Sequence, residues 1–124
     1  MRDHEIETWT RDVIDRVLGG QAIEDSRVEL KRELPAEHQK AARQIAGLLN
    51  AARGAHVLWL IGVDEKAQTV TGSNFADFAK WYQQVSSCFV ELSPDVYHLN
   101  VPYDGKTVTA VLFPSGATGL PLKC

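Results

Sequence analysis

The stretch His56-Val-Leu-Trp-Leu-Ile-Gly-Val63 (HVLWLIGV) is apolar at nearly every position. Half-buried strands alternate apolar and polar residues. A short run with no polar face reads as a central strand covered on both sides. The chain therefore needs covering layers on each side of one sheet, and its remaining segments must supply them. The run stops at Asp64-Glu65-Lys66, a turn, after which QTVTG can pair back as a short strand.

Upstream, residues Asp3 to Leu18 carry Ile6, Trp9, Val13, Val17 and Leu18 at helical spacing, and Gly19-Gly20 can end that helix. EDSRVELKREL (Glu24 to Leu34) follows. Val28 and Leu30 point to one side, while Arg27, Glu29, Lys31 and Glu33 give the other side wholly to charge. Pro35 is expected to open a second helix, with Ala41, Ile45, Leu48, Leu49 and Ala52 on its inner stripe and Gly54 at its end. Downstream, Asn74 with Asp77 suits a helix start, and Phe75, Phe78, Tyr82, Val85 and Phe89 form a third stripe. The run YHLNVPY-DG-KTVTAVLF is a hairpin closed by Asp104-Gly105. Pro102 confines its strand to a sheet edge or a bulge. The expected order is α-β-α-β-β-α-β-β, an α+β domain with a mixed sheet backed by helices.

With 124 residues, 44% hydrophobic and 23% charged, the chain suits one globular domain. No apolar run approaches the roughly 20 residues that span a bilayer. MRDHEIETW has no apolar signal-peptide core, so nothing in it points to export. Cys88 and Cys124 stand far apart without C-x-x-C pairing, which suits reduced thiols in a cytoplasm. The net charge of −3 is unevenly spread. Residues 1–25 hold seven acids and three bases. Residues 26–53 hold three acids and six bases: Arg27, Lys31, Arg32, Lys40, Arg43 and Arg53. One positive segment inside an acidic chain is either a phosphate-facing surface or a mixed solvated one.

There is no phosphate-binding P-loop, no G-x-G-x-x-G, no G-x-S-x-G and no metal-ligand spacing among the four histidines. What remains is carboxylates at strand ends. Glu24 precedes the first strand, Glu29 lies within it and Asp64 ends the central run. If the two strands are neighbours, these acids could converge around Mg²⁺ or Mn²⁺, with Lys31 holding a phosphate oxygen. The alternative is that they pair with Arg27, Lys31 and Arg32 as surface ion pairs of small energetic weight.

Glu24, VELK (Val28 to Lys31), IAGLLN (Ile45 to Asn50), LIGVDE (Leu60 to Glu65) and Gly72 together resemble the Schlafen-type AlbA-like domain over about residues 10 to 115. The resemblance implies an α+β fold related to the chromatin protein Alba, and binding of DNA or RNA. It further implies a Glu-Glu-Asp metal triad like that of the animal Schlafen endoribonucleases, which cut structured RNA such as tRNA. That triad falls on Glu24, Glu29 and Asp64, with Lys31 as the catalytic phosphate contact. Arg27, Lys31, Arg32, Lys40, Arg43 and Arg53 become candidates for backbone contacts. Two departures stand out. Where the family has an Asn-Thr-x-Gly-Gly turn, this chain has Asn50-Ala-Ala-Arg-Gly-Ala55. The family also tends to add a strand beyond the point where this chain stops, so a fragment of a longer protein or a minimal version is expected, and a missing strand would leave an open sheet edge that invites pairing with a second copy. Three readings stay open: a metal-dependent endoribonuclease, a non-catalytic DNA- or RNA-binding recruiting module, and a dimerisation or protein-interaction domain that touches no nucleic acid.

Overall fold

The computed structural model describes residues 1–73, 78–90 and 93–114. Their elements run α1 (Asp3–Leu18), β1 (Val28–Lys31), α2 (His38–Ala52), β2 (Val57–Ile61), β3 (Val63–Asp64), β4 (Thr69–Val70), α3 (Phe78–Ser86), β5 (Tyr97–Tyr103) and β6 (Lys106–Phe113). The main sheet has the order β1-β2-β6-β5, with β1 and β2 parallel and the other neighbours antiparallel. The protein is an α+β domain with a mixed sheet between helical layers.

All five residues of β2 are buried, as its doubly apolar pattern requires. Leu58 and Leu60 join Ile6, Val13, Ile14 and Val17 of α1 in one core. Val57, Trp59 and Ile61 face Ala41, Ala42 and Ile45 of α2 and Phe78, Trp81 and Val85 of α3 in the other. Trp59 anchors this second layer. Its ring centroid is 5.9 Å from Phe113, edge to face, and 6.5 Å from Trp81. Each such aromatic pair is worth about 0.5–1.5 kcal/mol beyond the area it buries.

The run from His56 to Val63 is not one strand. It breaks at Gly62, and β3 pairs with β4 in a separate two-stranded sheet. Gly62 has φ +105°, and a Cβ there would lie 2.7 Å from the Gly72 carbonyl carbon. Its carbonyl accepts from the amides of Thr71 and Gly72 at 2.8 and 3.0 Å. Only glycine permits both the backbone angle and this contact.

Three local expectations are corrected. Leu18 is 41% exposed, while Thr10 and Ile14 are buried. Positions 6, 10, 13, 14 and 17 trace one stripe, and Leu18 lies off it. Helix α2 starts at His38 rather than Pro35, because the Trp81 indole N–H donates to the Pro35 carbonyl at 2.7 Å and holds that residue in the preceding loop. Trp81, absent from the expected stripe of α3, is among its buried residues, and Phe89 lies beyond the helix end. The expected roles of Asn74, Phe75 and Asp77 fall outside the described residues.

The hairpin β5–β6 turns through Asp104 (φ 48°) and Gly105 (φ 78°). Both angles are positive, as a type I′ turn demands. Pro102 sits on the edge strand opposite Thr107, next to the Tyr103–Lys106 pair that flanks the turn. The pair beside a two-residue turn is hydrogen-bonded, so Pro102 and Thr107 form the next, non-hydrogen-bonded pair, and the position without an N–H faces away from β6. Tyr97 and Tyr103 donate from this strand to Asp3 and Asp15, each at 2.5 Å, and fasten α1 across the sheet.

Candidate nucleic-acid interface

Strand β1 answers why one of its faces is all charge. It is an edge strand, parallel to β2, with Glu29 level with Trp59 and Lys31 level with Ile61. Val28 and Leu30 pack on the α1 core. Glu29 and Lys31 project to the other side, at the border of α2, where they are half-covered. The Lys31 ammonium is 3.5 Å from a Glu29 carboxylate oxygen and donates to Gln44 Oε1 of α2 at 3.1 Å. It also stands 5.6 Å from the centroid of the Trp59 ring, as a cation over an aromatic face. The aliphatic stem of Lys31 thus seals the edge of the aromatic layer while its charge stays at the surface.

Along α2 the outward residues continue this charge. His38–Ala52 contains no Asp or Glu. Lys40 and Arg43 are exposed at helical spacing beside Gln44. Arg53 is exposed at the helix end, in the left-handed conformation (φ 51°, ψ 50°), followed by Gly54 at φ 88°. No ion pair among the described residues engages Lys40, Arg43 or Arg53. With only one glycine, the turn after α2 places an arginine where a second glycine would be unstrained.

Arg27 lies apart from this group. Its guanidinium and amide are chelated by the Asp25 carboxylate at 2.9–3.0 Å, and it sits 5.3 Å from the Trp9 ring centroid on the α1 side. The Arg27 hydrogen bonds lower the Asp25 carboxyl below its ordinary range. Arg32 Nε lies 3.4 Å from Asp64 Oδ2. Asp64, whose side chain is 18% exposed, also accepts from the Ala67 amide at 3.0 Å and braces the β3–β4 turn.

The three acids Glu24, Glu29 and Asp64 are therefore held in different surroundings. Glu24 is exposed in the loop before β1. Glu29 is level with Trp59, so Asp64 comes five residues further along the neighbouring segment. Among the described residues no group of three or more His, Cys, Asp or Glu side chains is placed to hold a metal ion. As arranged, the three carboxylates do not fit one cation. Gln44 and Trp59, the two groups that hold Lys31, carry no motif. Only their adjacency in space reveals them.

Beyond Lys31 the chain walls a cleft of about 460 Å³, lined by Arg32, Glu33, Leu34, Ile61, Thr71, Gly72 and Ser73. It opens beside the C-terminal ends of the parallel pair β1 and β2. Ser73 Oγ is 2.6 Å from Thr109 Oγ1, which fixes one wall to β6. The Trp81–Pro35 bond fixes the other.

No protein-family profile and no curated protein matches this chain. Among solved structures it is similar to the N-terminal domain of a Nitrosomonas europaea protein whose name relates it to the ATP-dependent DNA helicase RecG. The identity is 21%, the TM-score 0.51, and the match covers 89% of this chain and 82% of that one. This likeness shows the fold. A Corynebacterium diphtheriae protein aligns at 18% identity and TM-score 0.47, over 88% of this chain and 22% of that one. No helix among the described residues is long and apolar enough to cross a membrane.

Proposed function

We propose that this domain binds nucleic acid through the side formed by β1 and α2. Lys31, Lys40, Arg43 and Arg53 contact backbone phosphates, and Arg32 stands at their border. One observation carries the reading. Apart from Arg27, the cations of the chain's positive segment lie on or beside the α2 side of the sheet, around a helix without a single acid, while α1, with five acids and two arginines, covers the opposite face. A cationic surface on an acidic protein costs self-repulsion unless it meets an anion, and phosphate backbones are the anions such surfaces steer. The resemblance to the Schlafen-type AlbA-like domain supports the same reading, as does a fold shared with a domain of a helicase-related protein.

The test is fluorescence anisotropy with tRNA, duplex DNA and single-stranded oligonucleotides across a salt series. Binding should weaken steeply as salt rises, because released counterions set the slope. Absence of binding at low salt would overturn the reading. If that result came with a dimer on a sizing column, a protein-interaction domain would replace it.

A second reading, Mg²⁺- or Mn²⁺-dependent cleavage of structured RNA, is favoured by Glu29 and Lys31 sharing one half-covered shelf 3.5 Å apart. It requires both Glu24, carried by the loop before β1, and Asp64, at the end of β3, to approach Glu29. Cleavage of labelled tRNA with and without chelator decides it.

A further inference from the structure

We infer that the cleft between β1 and β4 receives one unpaired base of the bound strand, and prefers bases that carry an exocyclic amino group. This rests on the reading of nucleic-acid binding and assigns part of its specificity. The cleft volume of about 460 Å³ lies within the roughly 300–1,000 Å³ usual for small-molecule sites. Its covered lining residues, Leu34 and Ile61, are apolar, and its exposed ones, Arg32, Glu33 and Thr71, are polar. An aromatic base with a greasy face and a hydrogen-bonding edge matches that division.

Charge decides which part of a nucleotide enters. Arg32 is drawn to Asp64 at 3.4 Å, and Glu33, an exposed residue, is the acid that lines the cleft. Asp64 is not on the lining, but it pairs with Arg32, and Glu33, which does line the cleft, disfavours a phosphate inside it. A carboxylate on the rim instead accepts from the amino group of cytosine, adenine or guanine, and it repels the carbonyl edge of uracil or thymine. The phosphates then remain outside. There, Lys31 precedes Arg32 directly in the chain, and Lys40 and Arg43 continue from the Leu34 wall into α2. A base locked in a duplex has its pairing edge occupied and cannot enter a walled cleft, so the site selects unpaired nucleotides. Close packing and hydrogen bonds tie the walls to the sheet and to α3. Gly62 lies against Gly72 and Ser73 with no room for a Cβ, and the Ser73–Thr109 and Trp81–Pro35 bonds brace both sides.

The experiment compares labelled single strands of rC, rA, rU and dC with a blunt hairpin duplex, binding to wild type, Thr71→Trp and Glu33→Gln. The expected wild-type result is at least about fivefold tighter binding of rC and rA than of rU or the duplex. The rC and dC arms report whether the sugar matters. Thr71→Trp, at an exposed rim position, should fill the cleft and bring single strands down to duplex level, while duplex affinity stays within about twofold. Glu33→Gln should narrow the rC-over-rU ratio without weakening the duplex, and it cannot disturb the core. Equal binding of all probes by wild type overturns the cleft assignment alone. A preference that survives Thr71→Trp in a protein with wild-type circular dichroism also overturns it. No binding of any probe at low salt overturns this inference and the proposed function together.

Discussion

The Lys31 ammonium stands 5.6 Å over the Trp59 ring, joining a surface cation to a residue that is only 1% exposed. Glu29, 3.5 Å from the same ammonium, is the nearest brake on its charge. Replacing Glu29 separates the two functional readings. Under the binding reading, Glu29→Gln removes a negative charge from the phosphate-facing side, and affinity for tRNA or DNA should rise severalfold at low salt. Under the nuclease reading the same change abolishes metal-dependent cleavage. Anisotropy and gel assays on one preparation read both outcomes.

Lys40→Ala with Arg43→Ala should lower affinity for every nucleic acid to a similar degree and reduce the slope of log K against log salt by about 2, since each cation accounts for roughly one phosphate. Both side chains are exposed, so urea midpoints should stay within about 0.5 kcal/mol of wild type. An unchanged slope would remove α2 from the interface.

Arg53 should show opposed effects on stability and binding. Its φ of 51° and ψ of 50° place a residue with a Cβ in the left-handed region, a strain of about 1–2 kcal/mol that glycine escapes. Arg53→Gly should stabilise the fold by about 0.5–1 kcal/mol in urea titrations, after the loss of unfolded-state restriction. The same variant should bind nucleic acid more weakly. Stabilisation without weaker binding would leave Arg53 a strained cap and no more.

Gly62→Ala should destabilise the domain by about 3 kcal/mol or more, because a positive φ and a 2.7 Å contact with backbone act together. Gly105→Ala, at φ +78° but with nothing within 4 Å of its Cβ position, should cost only about 1 kcal/mol. Thermal or urea unfolding of the two variants provides the comparison.

All three tyrosines, Tyr82, Tyr97 and Tyr103, hold their protons above the ordinary range. Burial pushes Tyr82 up to about 12, with Asp95 adding to the shift. Hydrogen bonds to Asp3 and Asp15 raise Tyr97 and Tyr103. A raised folded-state pKa contributes stability that is complete below the unfolded value near 10 and is lost as pH climbs through the folded value. Absorbance titration at 295 nm should therefore show the native tyrosines ionising at higher pH than the same side chains in urea, with Tyr82 near 12. Asp25 works in the opposite direction. Its lowered pKa contributes above the ordinary carboxylate range and is lost as pH falls through the depressed value. Asp25→Asn should flatten the acid limb of the stability profile.

What the sequence by itself determined was the alphabet of elements and their layering. The doubly apolar run at 57–61 demanded a central strand. The Asp104-Gly105 pair demanded a tight hairpin. The stripes of α1 and α2 demanded faces buried against a sheet. These are local consequences of backbone sterics and burial, so they survive without knowledge of neighbours. Tertiary structure alone decided the proposed binding surface. It set the β1–β2 register, which puts Glu29 beside Trp59 and leaves Asp64 five residues on. It also sent Arg27 to Trp9 and Lys31 to Gln44, although alternation had placed both cations on one face. The break at Gly62 was invisible for the same reason, since the groups that require a glycine there, the backbone of Gly72 and Ser73, lie ten and eleven residues away. Charge and strand pattern are written along the chain, but partners are chosen by distance in space, and distance exists only once the layers have closed.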